Sequence, residues 1–352
     1  MSRAWLPGCL ALGLCLAALV AVAAQPGARS ETGLRANPAH GVLFGFNDDW
    51  VRPKNQSRLT YARAAGTDVI RFPVSWQRIE PQPGSWHWSR YDNLYAKALA
   101  RGIRLIFTPQ DSPCWAHAAR GCDLEGGVPP DREHLDDWAE FVRRFVERYP
   151  RLAAVEVWNE QNLVPYWQPR PQPKRYAELL GVTYRAVNQV DPKVPVLFGG
   201  QAGGNLSIKG FRLGYMHYFR RAMAAGARRK FDGLAIHSYN SLDGTLDILV
   251  RLRAELREFG RRKVPLWVTE TGFSSHAKGG EDRQAKRLRA SVRGISRAPG
   301  VRSVILHRMF DVSRGVEPFN SMGMVRRNGT RKPAFCAVAN LGRRSGCFAG
   351  NR

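Results

Sequence analysis

Two short apolar runs, Val155-Glu156-Val157-Trp158-Asn159-Glu160 and Leu266-Trp267-Val268-Thr269-Glu270-Thr271-Gly272, each carry a glutamate to the point where strand-forming residues give way to polar ones. A carboxylate there stands at the carboxyl end of a strand, the edge on which parallel barrels build active sites. A pair of them is what cleavage of an acetal linkage needs: one carboxyl protonates the leaving oxygen, and the other attacks, or directs water, from the opposite face. Glu160 and Glu270 are therefore the candidate catalytic pair. Their carboxyl groups should stand about 5–5.5 Å apart if the second glutamate attacks directly, and beyond about 6.5 Å if water does. Glu156 lies inside its run and Asp232 ahead of another, so both are expected to be structural.

Polar residues after the other apolar runs fill out the candidate site: Asp48, Arg71, Gln110, Asn159, His237, Tyr239 and His307, with Trp115 beside them. A positive charge within about 4–6 Å holds a carboxylate ionised. Arg71 and Tyr239 are thus expected to orient Glu270 as nucleophile, leaving Glu160 as general acid and then base. Asn159 is placed to meet a sugar 2-hydroxyl. Trp50, Trp76, Trp115, Trp158, Trp167 and Phe273 are interleaved with these residues. Apolar ring faces beside hydrogen-bonding groups suit a sugar, which has apolar faces and a polar edge.

The elements that must position these side chains alternate from about residue 41 onward. Candidate strands are 42–46, 68–72, 103–108, 155–158, 196–199, 233–237, 266–269 and 303–307, and candidate helices are 91–101, 132–149, 174–190, 211–225, 246–259 and 281–297. Gly66, Gly102, Gly226 and Gly260 follow helical patterns as C-terminal caps. Eight strands alternating with helices predict a single-domain (β/α)8 barrel over 41–341. A doubly wound sheet would alternate in the same way, but no Gly-x-Gly-x-x-Gly turn follows the first strand.

Residues 1–24, with Arg3 ahead of the apolar stretch Cys9 to Val22, read as a cleaved secretory signal peptide, an uncleaved anchor being the rival. A secreted or periplasmic location follows. Residues 25–40 form a lead-in and 342–352 a Gly- and Arg-rich tail. In an oxidising compartment the remaining cysteines are expected to pair as Cys114 with Cys122 and Cys336 with Cys347; their spacing lacks a zinc pattern, and no metal is expected. The 54 basic residues against 29 acidic give a net charge of +25. Such a field attracts polyanions. With the charges scattered over helices, an acidic polysaccharide or an anionic cell envelope fits better than nucleic acid. A monomer is expected. Asn55, Asn205 and Asn328 head Asn-x-Ser/Thr sequences.

The Trp158-Asn159-Glu160-Gln161-Asn162 and Val268-Thr269-Glu270-Thr271-Gly272 segments resemble the clan A glycoside hydrolases, as do Arg71, the Trp76–Trp88 segment and His237-Ser238-Tyr239. The resemblance covers roughly residues 41–340 and is nearest to family 39, with family 5 cellulase-like enzymes as neighbours. It implies a (β/α)8 fold, a retaining mechanism with Glu160 as acid/base and Glu270 as nucleophile, and no cofactor. His307 stands where many relatives carry an aromatic sugar platform, and the extra β-sandwich of family 39 xylosidases is not expected here. An oligosaccharide or polysaccharide substrate follows from the resemblance; a barrel that binds carbohydrate without turnover is the alternative.

Overall fold

Apolar runs too short for helices and apolar on both faces become strands buried on both faces. β1 (Leu43–Asn47), β2 (Val69–Ser75), β3 (Arg104–Gln110), β4 (Ala154–Asn159), β5 (Val196–Ala202), β6 (Gly233–His237), β7 (Leu266–Thr271) and β8 (Val301–Leu306) pair in parallel in chain order. β8 closes onto β1 from Leu43↔Ser303 to Phe46↔Leu306, completing a single-domain (β/α)8 barrel. The computed structural model describes residues 41–47, 56–118, 127–204, 211–313, 317–339 and 341. The signal-peptide, lead-in and tail readings lie outside these residues, as do Asp48, Trp50, Asn55, Cys122, Asn205 and Cys347.

Around the barrel run α1 (Gln56–Ala64), the short α2 (Trp76–Ile79), α3 (Ser89–Leu99), α4 (Leu135–Arg148), α5 (Pro173–Val190), α6 (Tyr215–Ala224), α7 (Leu242–Glu258), α8 (Gly280–Arg297) and α9 (Pro333–Ala339). The four glycines expected to end helices all adopt left-handed φ, from 68° to 102°. α7 starts earlier than its apolar pattern because the Ser241 hydroxyl accepts the Gly244 N–H at 3.2 Å. α6 starts later because Arg212 is held in a bridge to Leu163 on the loop after β4. Among the described residues, no helix is long and apolar enough to cross a membrane.

Successive strand residues face opposite sides, and this period sorts the barrel interior into layers. The lower layer is apolar: Leu43, Val69, Ala154, Ala235, Trp267 and Ile305 belong to one buried cluster. Two residues further along the same strands stand Arg71, Glu156, His237, Thr269 and His307, with Asn47 a further pair of steps along β1. Alternation that builds an apolar floor thus delivers polar side chains to the mouth.

Candidate active site

β2 delivers Arg71, which is buried, and each of its N–H groups has a partner. Nε donates to Glu156 Oε2 at 2.7 Å, Nη1 to Glu270 Oε1 at 2.8 Å and Asn47 Oδ1 at 3.1 Å, and Nη2 to Asn159 Oδ1 at 2.8 Å and Glu156 Oε1 at 3.2 Å. Glu270 therefore sits between fixed donors: Arg71 and Asn47 Nδ2 (2.9 Å) on Oε1, the Tyr239 hydroxyl (2.5 Å) on Oε2. Burial pushes its carboxyl up, but the charges of His237 and Arg71 outweigh burial and hold it at about 2.

Glu270 reaches the mouth through a break in strand alternation. Ile236 pairs with Val268 but His237 pairs with Glu270, so β7 carries one extra residue there. β4 ends in a comparable irregularity. Trp158 at φ 70° and Glu160 at φ 45° are both left-handed, a region costly for bulky residues. Packing over-determines the turn: the Trp158 ring lies between Trp138 and Trp167, with centroids at 5.8 and 5.4 Å, and its Nε1 donates to the Tyr166 carbonyl. The result turns Glu160 inward, where Oε1 lies 2.9 Å from His237 Nδ1.

His237 is wholly buried, with Nδ1 3.7 Å from Glu270 Oε2 and Nε2 3.8 Å from Glu156 Oε1. Burial pulls its pKa down; the Glu270 charge first, then Glu156 and Glu160, raise it to about 9. Glu156 is pushed up by burial and pulled further down by Arg71 and His237, to about 2. The close approach leaves no space on β5: a Cβ at Gly200 would fall 2.2 Å from His237 Nε2 and 2.6 Å from Glu156 Oε1, while the Gly200 N–H donates to that same oxygen at 2.8 Å. One ligand atom each of Glu160, His237 and Glu270 lies within 4.8 Å of the others. Arg71 and protonated His237 already supply positive charge there, which opposes a divalent cation.

The structure brings Glu160, Glu270, Arg71, Asn159, His237, Tyr239 and His307 together, and corrects several expected roles. Arg71 and His237 cannot be primary sugar contacts, because the first has no unengaged donor and the second has no exposed surface; both act through the carboxylates. Asn159 gives its carbonyl oxygen to Arg71, which leaves its amide NH2 for a ligand. His307 Nδ1 lies 3.1 Å from Asn47 Nδ2 and 3.8 Å from Glu270 Oε2. Gln110 ends β3 with Oε1 buried and without a hydrogen-bond partner. Trp115 packs instead against Trp76 and His134, and its Nε1 donates to the Glu80 carbonyl. Trp76, Trp158 and Trp167 are core, each no more than 1% exposed, so they offer no sugar platform. Cys114 and Cys336 are disulfide-bonded.

The cellulase model, glycosyl hydrolase family 5, matches residues 31–296. The chain belongs to glycosyl hydrolase family 5. This family 5 member is also 35% identical over 114 residues to a β-xylosidase from Geobacillus stearothermophilus, covering 30% of this chain but 19% of the xylosidase. Its fold is similar to a family 39 glycoside hydrolase from Bacteroides cellulosilyticus, with TM-score 0.70 and 20% identity over 88% of this chain and 64% of that one. A family 5 subfamily 18 enzyme from Streptomyces cattleya, solved with Manβ1-4GlcNAc, gives TM-score 0.66 and 19% identity over 88% and 82%.

The sequence reading of this family 5 site missed Asn47 as a Glu270 donor and set Glu156 aside as structural. Asn47 sits at a strand end like the residues that were chosen, and only the register Asn47↔Arg71 would have joined it to them. Glu156 had a usable signal: a carboxylate in the middle of an inward-facing strand position needs a buried cation, and Arg71 is the candidate on β2.

Proposed function

We propose that this family 5 member is an exported glycosidase that hydrolyses an oligosaccharide or polysaccharide with retention of anomeric configuration. Glu270 is the nucleophile and Glu160 the acid/base. One observation carries the reading: carboxylate oxygens of the two glutamates lie within 4.8 Å of each other, on the retaining side of the ranges for the two mechanisms. Glu270, ionised and held by Arg71, Asn47 and Tyr239, attacks the anomeric carbon as Glu160 gives its proton to the departing oxygen. The C–O bond breaks and a glycosyl ester forms. Glu160, now a carboxylate, takes a proton from water, whose oxygen displaces Glu270 and restores the starting state. The Asn159 amide meets the 2-hydroxyl. No cofactor enters these steps.

The +25 charge favours acidic glycans and association of a monomer with an anionic envelope over nucleic acid. Export suits the disulfides at Cys114 and Cys336, which we assign to Cys122 and Cys347 as partners. The test uses aryl and oligosaccharide forms of β-xylosides, β-glucosides, β-mannosides and uronic-acid glycans, with the product anomer read by NMR. Glu160→Ala should lower kcat/KM by about 10²–10⁴-fold, less for a good aryl leaving group; Glu270→Ala should abolish turnover on both. Wild-type rates in both variants, or an inverted product, would refute the assignment.

A further inference from the structure

All eight strands run parallel, so every segment that leads from a helix into a strand lies at the amino end of the barrel, opposite Glu160 and Glu270. These segments are 65–68, 100–103, 149–153, 191–195, 225–232, 259–265 and 298–300. They carry nine basic residues, Arg101, Arg151, Lys193 and the runs 228–230 and 261–263, against three acidic ones, Asp68, Asp191 and Asp232. Arg104 and Arg302, in the first two positions of β3 and β8, add to the same end. Basic residues scattered along the sequence are thus gathered by the topology onto one face.

The charge of this face is not neutralised from within. Asp68 Oδ2 accepts the Phe44 N–H, Asp232 Oδ2 the Val196 N–H and Asp191 Oδ1 the Lys193 N–H, each at 3.0 Å, so the three carboxylates are turned to backbone groups. The arginines bond to carbonyls: Arg261 Nη2 donates to Phe231 O at 2.6 Å, Arg253 Nη1 to Val264 O at 2.8 Å and Nε to Pro299 O at 3.3 Å, and Arg302 Nη1 to Gly41 O at 2.7 Å. These bonds tie neighbouring segments into one surface and leave every guanidinium charge in place, because a carbonyl carries none. Like charges crowd there: burial, then repulsion from Arg302 and Arg151, pulls the Arg104 pKa below its ordinary value, and its buried Nε has no hydrogen-bond partner.

Two further observations bear on what covers the face. None of the seven segments exceeds eight residues, so the face has low relief, suited to a planar array of charges, whereas a single polymer strand is held in a groove. The chain also enters the barrel at this end: residues 1–40, with the apolar stretch Cys9 to Val22, precede Gly41 at the amino end of β1. A segment read as membrane-directing therefore joins the barrel on its basic face.

Deepening the envelope association proposed above, we infer that the amino end of the barrel docks on a bilayer surface of anionic phospholipids. Docked in this way, the protein holds its catalytic mouth away from the lipid and open to glycan. Each basic residue at such a surface is worth roughly fivefold in affinity. Charges at the mouth contribute little, since a seven-residue strand such as β2 spans about 20 Å, twice the screening length of about 10 Å at moderate salt.

The experiment mixes the full chain with vesicles of equal parts phosphatidylglycerol and phosphatidylcholine, with vesicles of phosphatidylcholine alone, and with polygalacturonate. Wild type is compared with Arg229→Gln/Arg262→Gln/Lys263→Gln, three exposed residues of the basic face, and with Arg170→Gln/Lys278→Gln/Lys286→Gln, three exposed residues away from it. The two triple variants have the same net charge. Wild type should prefer the anionic vesicles to the neutral ones; binding common to both measures the apolar stretch. The face variant should lose about 10²-fold of that preference, and the other variant less than about threefold. Hydrolysis of a soluble aryl glycoside should be the same in wild type and the face variant. Equal losses in the two variants would overturn the docking face while leaving a charge-driven envelope association intact. Tighter binding to polygalacturonate than to anionic vesicles would overturn lipid as the partner. Wild type without preference for anionic vesicles overturns the proposal, and without binding to polygalacturonate as well it removes the envelope association too.

Discussion

Replacing Glu156 by glutamine keeps the side chain's shape and removes its charge, and the consequences can be worked through from its contacts. Glu156 accepts from Arg71 at 2.7 and 3.2 Å, from Gly200 N–H at 2.8 Å and from the Thr269 hydroxyl at 3.1 Å. All but the hydroxyl are obligate donors, so an NH2 group in place of either oxygen faces another donor, a loss of about 1–3 kcal/mol. The buried cluster also goes from two anions facing Arg71 and His237 to one. Breaking a buried ion pair typically costs about 3–5 kcal/mol, and Arg71 keeps Glu270, so the expected loss of stability at neutral pH is about 3 kcal/mol. The sign with pH is fixed by His237. Its pKa rises from 6.5 to about 9 on folding, a contribution of roughly 3 kcal/mol that is fully present below pH 6.5 and lost as pH rises through 9. Removing the Glu156 charge should lower the folded value by about one unit or more and narrow that window from its alkaline side. NMR titration of the imidazole, with urea unfolding near pH 6 and pH 9, reads both effects. An unmoved His237 midpoint together with a stability loss under about 1 kcal/mol would refute the claim that Glu156 sets the charge of this cluster.

Two further outcomes follow from the same geometry and charge. Gly200→Ala places a methyl group 2.2 Å from His237 Nε2; it should cost about 1–3 kcal/mol of stability, and about 10²-fold in kcat through displacement of the carboxylates that His237 orients. Gly181→Ala, where the nearest atom would be 3.7 Å away within α5, serves as the control and should not lower stability; equal kinetics and stability in the two variants would remove the argument. Separately, the +25 charge should make the rate on acidic polysaccharides exceed that on matched neutral ones at low salt, with the ratio falling toward unity by moderate salt. Equal rates at every ionic strength would show that the charge does not act on substrate.

How much of this site was legible in the sequence depends on the range of the forces involved. The strands were legible because each is an apolar run bounded by turn residues, and the catalytic glutamates because each ends such a run. The partners were harder. Asn47, Glu156 and Gly200 gain their roles from strand register: Asn47 lies opposite Arg71, and Gly200 opposite Asn159. Register is a property of pairs of strands far apart in the chain, which no local pattern encodes. The tryptophans failed as sugar platforms for a related reason. Trp158 sits in the motif that carries Glu160, but its left-handed φ turns the ring outward to Trp138 on α4. Sequence proximity to a catalytic residue therefore gave the wrong side of the strand.

That reversal also explains why the aromatic residues sort as they do. A left-handed turn at the end of β4 is held only if something locks it, and a large indole packed between Trp138 and Trp167 does so more firmly than a side chain facing water could. The tryptophans near the catalytic motif are thereby committed to positioning Glu160 and cannot also bind sugar. The large aromatic rings that stand exposed among the described residues are Tyr166, Phe211 and Phe319, none of them adjacent to a catalytic glutamate in sequence. Rigid burial of the indoles is what the turn at Glu160 requires, and the same burial removes their faces from the mouth.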